Sequence, residues 1–162
     1  MKIDMHAAGA AAFSLLRSRG EKVSFAESLT GGLIAATFVE NSGASNVLDE
    51  SYVTYAAESK MRILGVNRET VDTVGVGSAR CAREMAAGVK RISGADWGVS
   101  ATGLAGPDGG TDELPVGTVF FGIAGEDGAE AYECHFGGDR AEVRMQAVQR
   151  AFELLTERIQ RT

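Results

Sequence analysis

The chain has few of the residues that build disulfide-linked, zinc-binding or membrane-spanning proteins. Its only cysteines are Cys81 and Cys134, which lie far apart and belong to no CxxC pair or histidine cluster. A disulfide framework and a structural zinc site are therefore disfavoured, and a reducing cytoplasm is the expected setting. No apolar run reaches the roughly 18 residues that a membrane-spanning helix needs, so no membrane partner is expected.

Basic segments are also missing. The formal net charge is -6, and no block of Lys and Arg stands apart from neighbouring acidic residues. Binding nucleic acid without regard to sequence requires such a basic surface, so DNA and RNA are not expected partners. The alanine-rich N-terminal stretch follows Asp4 and His6. We therefore interpret it as the start of a helix and not as a signal peptide.

The remaining composition is that of an ordinary globular domain, with 44% hydrophobic residues in a chain of 162. That length suffices for one hydrophobic core. Hydrophobic periodicity predicts helices over residues about 5–19, 33–40, 56–64, 67–73 and 78–93, and a last helix that begins near 139. It predicts strands over residues about 22–27, 47–55, 97–101, 116–124 and 129–136. This alternation, ending in one hairpin, predicts a single three-layer α/β/α domain over 1–162, whose mixed, mostly parallel sheet has about five strands.

The predicted helix ends carry recognisable caps. Gly20 is expected to end the first helix, and Asn67 and Ser78 are expected N-caps. Asp139 and Glu142 have the spacing of a capping box at the start of the last helix. The helix over 78–93 is the clearest of the set, and its expected inward face consists of Ala82, Met85, Ala86, Val89 and Ile92.

Reactive side chains stand at the ends of three predicted strands. Ser28 follows the first strand, Tyr55 closes the second with Lys60 about one turn beyond, and Thr102 follows the third. Ligands of open α/β sheets bind beyond the carboxyl ends of parallel strands. If these strands are parallel, we expect the four side chains to lie close together.

The turn around Ser28 allows two roles. Its hydroxyl could attack a carbonyl carbon while N–H groups at the start of the next helix stabilise the oxyanion, Gly31 and Gly32 being the expected donors. Alternatively, Ser28 or Thr30 simply caps that helix, which is the commoner role for such a motif. Lys60 also allows two roles. It can act as a base for Ser28 only if burial or a neighbouring cation lowers its pKa, and otherwise it is a solvated helix residue.

The glycine-rich segment over residues 102–110 is the most distinctive part of the chain. Its glycines, Gly103, Gly106 and Gly109 among them, allow backbone N–H groups to approach an anion or a planar ring. The segment lacks the GK[ST] of a P-loop, which disfavours a triphosphate site, and the GxGxxG pattern of dinucleotide-binding proteins does not follow the first strand. Arg140, at the start of the last helix, could hold a phosphate there or pair with Asp139 or Glu142.

Together these segments resemble one known family. The series AESLTGG (26–32), SYVTYAAESKMRILGV (51–66), ATGLAGPDGG (101–110), LPVGTVFFG (114–122) and GGDR (137–140) is similar to the CinA C-terminal domain of competence/damage-inducible proteins. The order and spacing agree over nearly the whole chain. Members of the PncC type are nicotinamide-nucleotide amidases, which convert nicotinamide mononucleotide to nicotinate mononucleotide and ammonia on an α/β/α fold.

The resemblance implies roles for individual residues. Ser28 would be the nucleophile and Lys60 its base, Tyr55 and Thr102 would assist proton transfer and orientation, and Arg140 would bind the substrate phosphate. That Ser28 and not Thr102 is the nucleophile is a hypothesis. No metal and no cofactor is implied, and homo-oligomerisation is left open.

Two features depart from the family pattern. Leu29 stands where many members have a polar residue or cysteine after the motif serine. The large N-terminal domain of longer members is missing from this sequence, so we expect a stand-alone amidase. Two other functions compete: a non-catalytic nucleotide sensor linked to competence or DNA damage, and a serine amidase for another carboxamide, which would gain little from Arg140.

Overall fold

The computed structural model describes residues 2–162, which form six α-helices and five strands. The helices are α1 (Met5–Arg19), α2 (Leu33–Phe38), α3 (Ala57–Leu64), α4 (Arg68–Thr73), α5 (Ala79–Ser93) and α6 (Arg140–Gln160), with a 3-10 turn at Ala44–Asn46. The strands are β1 (Val23–Glu27), β2 (Leu48–Val53), β3 (Trp97–Gly103), β4 (Thr118–Gly125) and β5 (Gly128–His135).

The strands form one mixed sheet in the order β2-β1-β3-β4-β5. β1 pairs in parallel with β2 and with β3, whereas β4 is antiparallel to both β3 and β5. Four of the five strands therefore point the same way, and the carboxyl ends of β2, β1 and β3 stand side by side. The predicted α/β fold with a five-stranded mixed sheet is confirmed.

Helices cover both faces of the sheet and enclose two hydrophobic clusters. α1, α2 and α6 pack together over one face, where Phe13, Phe25, Phe38 and Phe152 form an aromatic group. α5 lies along the other face and contacts α3 and α4. β3 and β4 are almost continuously buried, as expected of central strands covered on both sides.

Most of the predicted helix caps are present. Gly20 ends α1 in the left-handed conformation, the Ser78 hydroxyl accepts the N–H of Cys81, and Asp139 forms the full capping box with Glu142. Asn67 stands at the predicted N-cap position of α4, although its side chain makes no capping hydrogen bond. The inward placement of Ile92 was wrong: the apolar period continues into the last turn of α5, but Ile92 is 39% exposed there.

Four element boundaries differ from the prediction, and the ends of β2 and β3 affect the site. β2 ends at Val53, so Tyr55 lies two residues beyond its strand, whereas β3 continues to Gly103 and includes Thr102. β4 begins at Thr118 and not at Val116, because Gly117 has a φ of 93° and its backbone lies against the Phe136 carbonyl. The helix predicted to reach residue 40 ends at Phe38.

Candidate active site

The carboxyl ends of the three parallel strands bring the predicted reactive residues to one edge of the sheet. Ser28 leaves β1 with its N–H donating to the Ala101 carbonyl at 3.0 Å. On the other side of β1, the Thr54 N–H donates to the Glu27 carbonyl at 2.9 Å. These two hydrogen bonds continue the sheet ladder past the strand ends and fix the backbone on both sides of Ser28.

Lys60 is fully buried and reaches Ser28 from the first turns of α3. Its Nζ lies 3.0 Å from Ser28 Oγ, 2.6 Å from the Thr54 carbonyl oxygen and 3.0 Å from the Tyr55 carbonyl oxygen. The solvated lysine considered from the sequence is therefore excluded. A neutral amine in this position has two N–H groups for the two carbonyls and one lone pair for the serine hydroxyl.

Burial lowers the pKa of Lys60 below its ordinary value of 10.5, while negative charge on Cys81 would raise it. Burial also raises the pKa of the Cys81 thiol to about 11, so this thiol is uncharged near neutral pH. Near neutral pH the uncharged thiol therefore does not offset the lowering of the Lys60 pKa by burial. The neutral amine that a general base requires thus becomes accessible at lower pH than for a solvated lysine.

Glu27 is a buried carboxylate that sequence reasoning missed. It is 0% exposed, and its side-chain oxygens accept the N–H groups of Gly32, Ile34 and Ala35 at 2.8–3.2 Å. It therefore caps α2, and neither Ser28 nor Thr30 does so. The usual signal failed because the carboxylate stands five residues before the Gly32 N-cap, outside the capping-box spacing.

The N–H groups of Gly31 and Gly32 are not free to act as oxyanion donors. Gly31 donates to the Ser28 carbonyl at 3.0 Å, and Gly32 donates to Glu27. This geometry contradicts the prediction that these glycines supply the donors. Arg144, a second residue that the sequence did not indicate, approaches the same turn from α6 and donates to the carbonyls of Leu29 and Thr30, each at 2.9 Å.

Thr102 supports the wall of the site. Its hydroxyl donates to the Val76 carbonyl at 2.9 Å, which holds the segment between α4 and α5 against the end of β3. The hydroxyl that contacts Lys60 Nζ belongs to Ser28. The geometry thus favours Ser28 over Thr102 as the activated hydroxyl.

Two adjoining cavities meet at Ser28. Both are also lined by Tyr55, Gly103 and Leu104. The first, the polar cavity, has a volume of about 200 Å³ and adds Leu29, Ala105, Gly106, Asp108 and Arg140. The second, the apolar cavity, has a volume of about 400 Å³ and adds Lys60, Val74, Gly75, Val76, Gly77, Thr102 and Leu114. Gly109, which was predicted to bind substrate, lines neither cavity.

Arg140 lies across the polar cavity from Ser28. Its guanidinium donates to the Gly106 carbonyl at 2.6 Å and to the Tyr55 hydroxyl at 3.4 Å. Asp139 and Glu142 instead pair with each other's backbone in the capping box, so the alternative salt bridge to Arg140 is not formed. Tyr55 is 63% exposed, which leaves this edge of the cavity open to solvent.

Residues 2–162 contain neither a cluster of metal-ligating side chains nor a helix that could span a membrane. No group of three or more His, Cys, Asp and Glu side chains is arranged to hold a metal ion. No helix in that part of the chain combines the length and apolar character needed to cross a membrane.

Known proteins resemble this chain in sequence and in structure. The family model of the CinA C-terminal domain matches residues 6–159. A CinA-like protein from Anaeromyxobacter sp. (strain K) is 48% identical over 140 residues, which are 86% of this chain and 34% of that protein. The chain thus spans about a third of the length of that relative. A protein from Enterobacter agglomerans named nicotinamide-nucleotide amidohydrolase PncC is 47% identical over 133 residues, covering 82% of this chain and 81% of its own.

Solved structures extend the resemblance to the fold. A CinA superfamily protein from Klebsiella pneumoniae superposes with a TM-score of 0.94 at 33% identity, covering 98% of this chain and 99% of its own. A competence/damage-inducible protein, CihA, from Agrobacterium tumefaciens gives 0.91 at 37% identity, with 94% of each chain covered. This chain belongs to the CinA C-terminal domain family.

Proposed function

We propose that the protein is a nicotinamide-nucleotide amidohydrolase, which converts nicotinamide mononucleotide and water to nicotinate mononucleotide and ammonia. The observation that carries the proposal is the contact of 3.0 Å between the buried Lys60 amine and the Ser28 hydroxyl, at the junction of two cavities. The name of the Enterobacter agglomerans relative, nicotinamide-nucleotide amidohydrolase, supports this choice of substrate. The proposed setting is the cytoplasm, where free thiols such as those of Cys81 and Cys134 persist.

In the proposed first half-reaction, Ser28 Oγ attacks the carboxamide carbon while Lys60 Nζ takes the hydroxyl proton. The tetrahedral intermediate collapses as the Lys60 ammonium returns that proton to the departing nitrogen, which leaves as ammonia. The product of this step is a nicotinoyl ester of Ser28. Because the amide is attached to a cationic pyridinium ring, its carbonyl is electron-poor, and a serine–lysine pair can attack it.

In the second half-reaction, Lys60 takes a proton from a water molecule that attacks the ester carbon. The serine oxygen then leaves with that proton, which regenerates Ser28 and releases nicotinate mononucleotide. Thr102 keeps the wall segment around Val76 in place during both steps. Tyr55 stands at the edge shared by the two cavities, where its hydroxyl can orient substrate or water.

The phosphate of the substrate is proposed to bind in the polar cavity. Arg140 has guanidinium N–H groups beyond those used by Gly106 and Tyr55, and a guanidinium binds phosphate through charge-assisted hydrogen bonds. Gly103 and Gly106 leave the cavity wall without side chains, so the ribose can approach the backbone. The Asp108 carboxylate offers an acceptor for the ribose hydroxyls. Because it repels the phosphate, it would keep that group beside Arg140.

The test is ammonia release from nicotinamide mononucleotide by the wild type, Ser28→Ala and Thr102→Ala. We expect release by the wild type, loss in a folded Ser28→Ala, and partial loss in Thr102→Ala. If Ser28→Ala keeps most activity while Thr102→Ala has none, the two roles are reversed. If the wild type binds the nucleotide without releasing ammonia, the protein is a sensor. Hydrolysis of unphosphorylated amides at equal efficiency identifies a different serine amidase.

A further inference from the structure

We infer that the backbone N–H groups of Leu29 and Thr30 form the oxyanion site of this enzyme, and that Arg144 is the residue that positions them. The inference rests on the proposed attack by Ser28 on a carbonyl carbon. Such an attack places a negative charge on the carbonyl oxygen, which fixed hydrogen-bond donors must stabilise. The donors expected from the sequence, Gly31 and Gly32, are already engaged, so the site must use others.

The turn that follows Ser28 leaves two donors unused. It is closed by the Gly31 N–H, which donates to the Ser28 carbonyl. Among the contacts within residues 2–162, the N–H groups of Leu29 and Thr30, which lie between that closing pair, have no acceptor. Both residues are buried, and buried N–H groups are rarely left unpaired. Unpaired donors beside a nucleophile are what an oxyanion site requires in its resting state.

A second observation points to the same turn. The Thr30 hydroxyl is buried and has no hydrogen-bond partner. The turn therefore holds three unpaired donors within two residues of Ser28, and Leu29 lines the polar cavity beside the serine. A bound oxyanion would supply an acceptor for the two N–H groups, whereas the Thr30 hydroxyl lines neither cavity.

Arg144 fixes the orientation of this turn. Its Nε donates to the Leu29 carbonyl and its Nη2 to the Thr30 carbonyl, each at 2.9 Å. In a trans peptide unit, the C=O and the following N–H point in opposite directions. Holding the Leu29 carbonyl on the α6 side therefore turns the Thr30 N–H away from α6, and the bond from Gly31 to Ser28 sets the Leu29 N–H in the same manner. The planar guanidinium suits this bidentate role, which a lysine could fill only in part.

The test compares Arg144→Gln and Arg144→Lys with Arg150→Gln as a matched control. Arg150 lies on the same helix, and its acidic partners are the surface carboxylates of Glu153 and Glu157. Its replacement therefore removes one positive charge from the same helix without touching the site. Two rates are measured: ammonia release from nicotinamide mononucleotide, and labelling of Ser28 by a fluorophosphonate. In the labelling, the Ser28 Oγ–P bond forms, the P–F bond breaks, fluoride leaves and Lys60 takes the hydroxyl proton.

The expected result is a loss confined to the chemical step. Removing one oxyanion donor typically lowers kcat by about 10²–10³-fold. Arg144 acts indirectly, on the Thr30 N–H through the Leu29 carbonyl and on the Leu29 N–H only through the Gly31 bond to Ser28, so we expect Arg144→Gln to lose at least about 10-fold. KM should stay within about threefold, and the acid limb of the pH profile should not move, because the contacts of Lys60 are intact. The labelling rate of Arg144→Gln should fall in parallel with its kcat. Arg144→Lys should have rates between those of Arg144→Gln and the wild type, and Arg150→Gln should have the rates of the wild type.

Several outcomes would overturn the inference. A kcat and labelling rate within about twofold of the wild type in Arg144→Gln would do so. A raised KM at unaltered kcat would also do so, because it would show that Arg144 acts in substrate binding. A shifted acid limb of the pH profile would do so too, because it would show that the substitution disturbs Lys60. If Arg144→Gln does not fold, the same criteria apply to Arg144→Lys. Slowed labelling of Arg144→Gln in a protein whose wild type releases no ammonia would refute the proposed substrate and support the oxyanion site, whereas a wild type that does neither refutes both.

Discussion

Lys60 Nζ lies 3.0 Å from Ser28 Oγ and is enclosed so completely that none of the lysine is exposed. The two residues come from different elements, Ser28 from the end of β1 and Lys60 from α3. The carbonyls of Thr54 and Tyr55 hold the amine in line with the hydroxyl, because they occupy two of its three hydrogen-bonding positions. A buried lysine without an acidic partner is unfavourable when charged, so this position suits a proton acceptor better than a structural ion pair.

Replacing Lys60 by methionine should abolish most of the activity while leaving the protein folded. Methionine has similar length and suits a buried position, but it cannot accept the serine proton. We expect kcat to fall by about 10²–10⁴-fold, the usual contribution of a general base. The measurement is ammonia release beside a thermal unfolding scan. Activity above a tenth of the wild type in the folded variant would contradict the proposed role of Lys60 as base.

The activity should rise with pH through the lowered pKa of Lys60. Burial places that pKa below 10.5, so the neutral amine becomes the major form before a solvated lysine would lose its proton. A profile of kcat/KM against pH should therefore rise and level off below pH 10.5. A rise that continues to pH 10.5, as for an exposed lysine, would contradict this assignment.

The same shift should affect stability in a defined direction. Between the lowered pKa and 10.5, the unfolded chain keeps a proton on Lys60 that the folded chain has released. The free energy of unfolding should therefore increase with pH in this window through Lys60, and Lys60→Met should lose that increment. Denaturant unfolding of both proteins at several pH values measures the difference. Parallel curves for the two proteins would show that Lys60 does not titrate abnormally.

Arg140→Gln should weaken binding of the phosphorylated substrate specifically. The lost charge-assisted hydrogen bonds are worth about 1.5–3 kcal/mol, which corresponds to about a 10- to 150-fold increase in KM. Nicotinamide riboside, which has no phosphate, should be hydrolysed equally by the variant and the wild type. Arg140→Lys is the charge-retaining control and should be intermediate. An equal loss with both substrates would assign Arg140 to the shape of the site and not to phosphate.

The fold was predictable because its signals are local. The apolar period, the Ser78 cap and the Gly94 stop define α5 within one residue, and the capping box of Asp139 and Glu142 defines the start of α6. The alternation of strands and helices then allows few topologies. Ile92 shows the limit, since periodicity tells which side a residue is on but not whether anything covers it.

The site was predictable only in outline, because its chemistry depends on distant contacts. The strand ends suggested Ser28, Tyr55 and Thr102, but the burial of Lys60 requires α3 to pack over the end of β1. Glu27 escaped notice because β1 is buried at all five positions, so alternation gives no warning of a buried carboxylate. Arg144 contacts residues more than a hundred positions earlier in the chain, a pairing that no local pattern indicates.

Glu27→Ala should destabilise the protein more than a comparable change at an exposed helix cap. Glu27 accepts three N–H groups at the start of α2, and its removal leaves one buried and two part-buried donors unpaired beside a new cavity. Each unsatisfied buried donor costs about 1–3 kcal/mol, and partial relaxation leads us to expect a total loss of about 2–4 kcal/mol.

Glu142→Ala is the matched control, because Glu142 accepts one exposed N–H in the capping box of α6. Its loss should cost about 0.5–1 kcal/mol, in the range of ordinary cap substitutions. Glu27→Gln keeps one acceptor oxygen and should fall between the two. Urea unfolding of the three variants and the wild type provides the comparison. If Glu27→Ala loses no more stability than Glu142→Ala, the turn at Ser28 is held by Arg144 and the sheet ladder alone, and Glu27 is not the cap on which it depends.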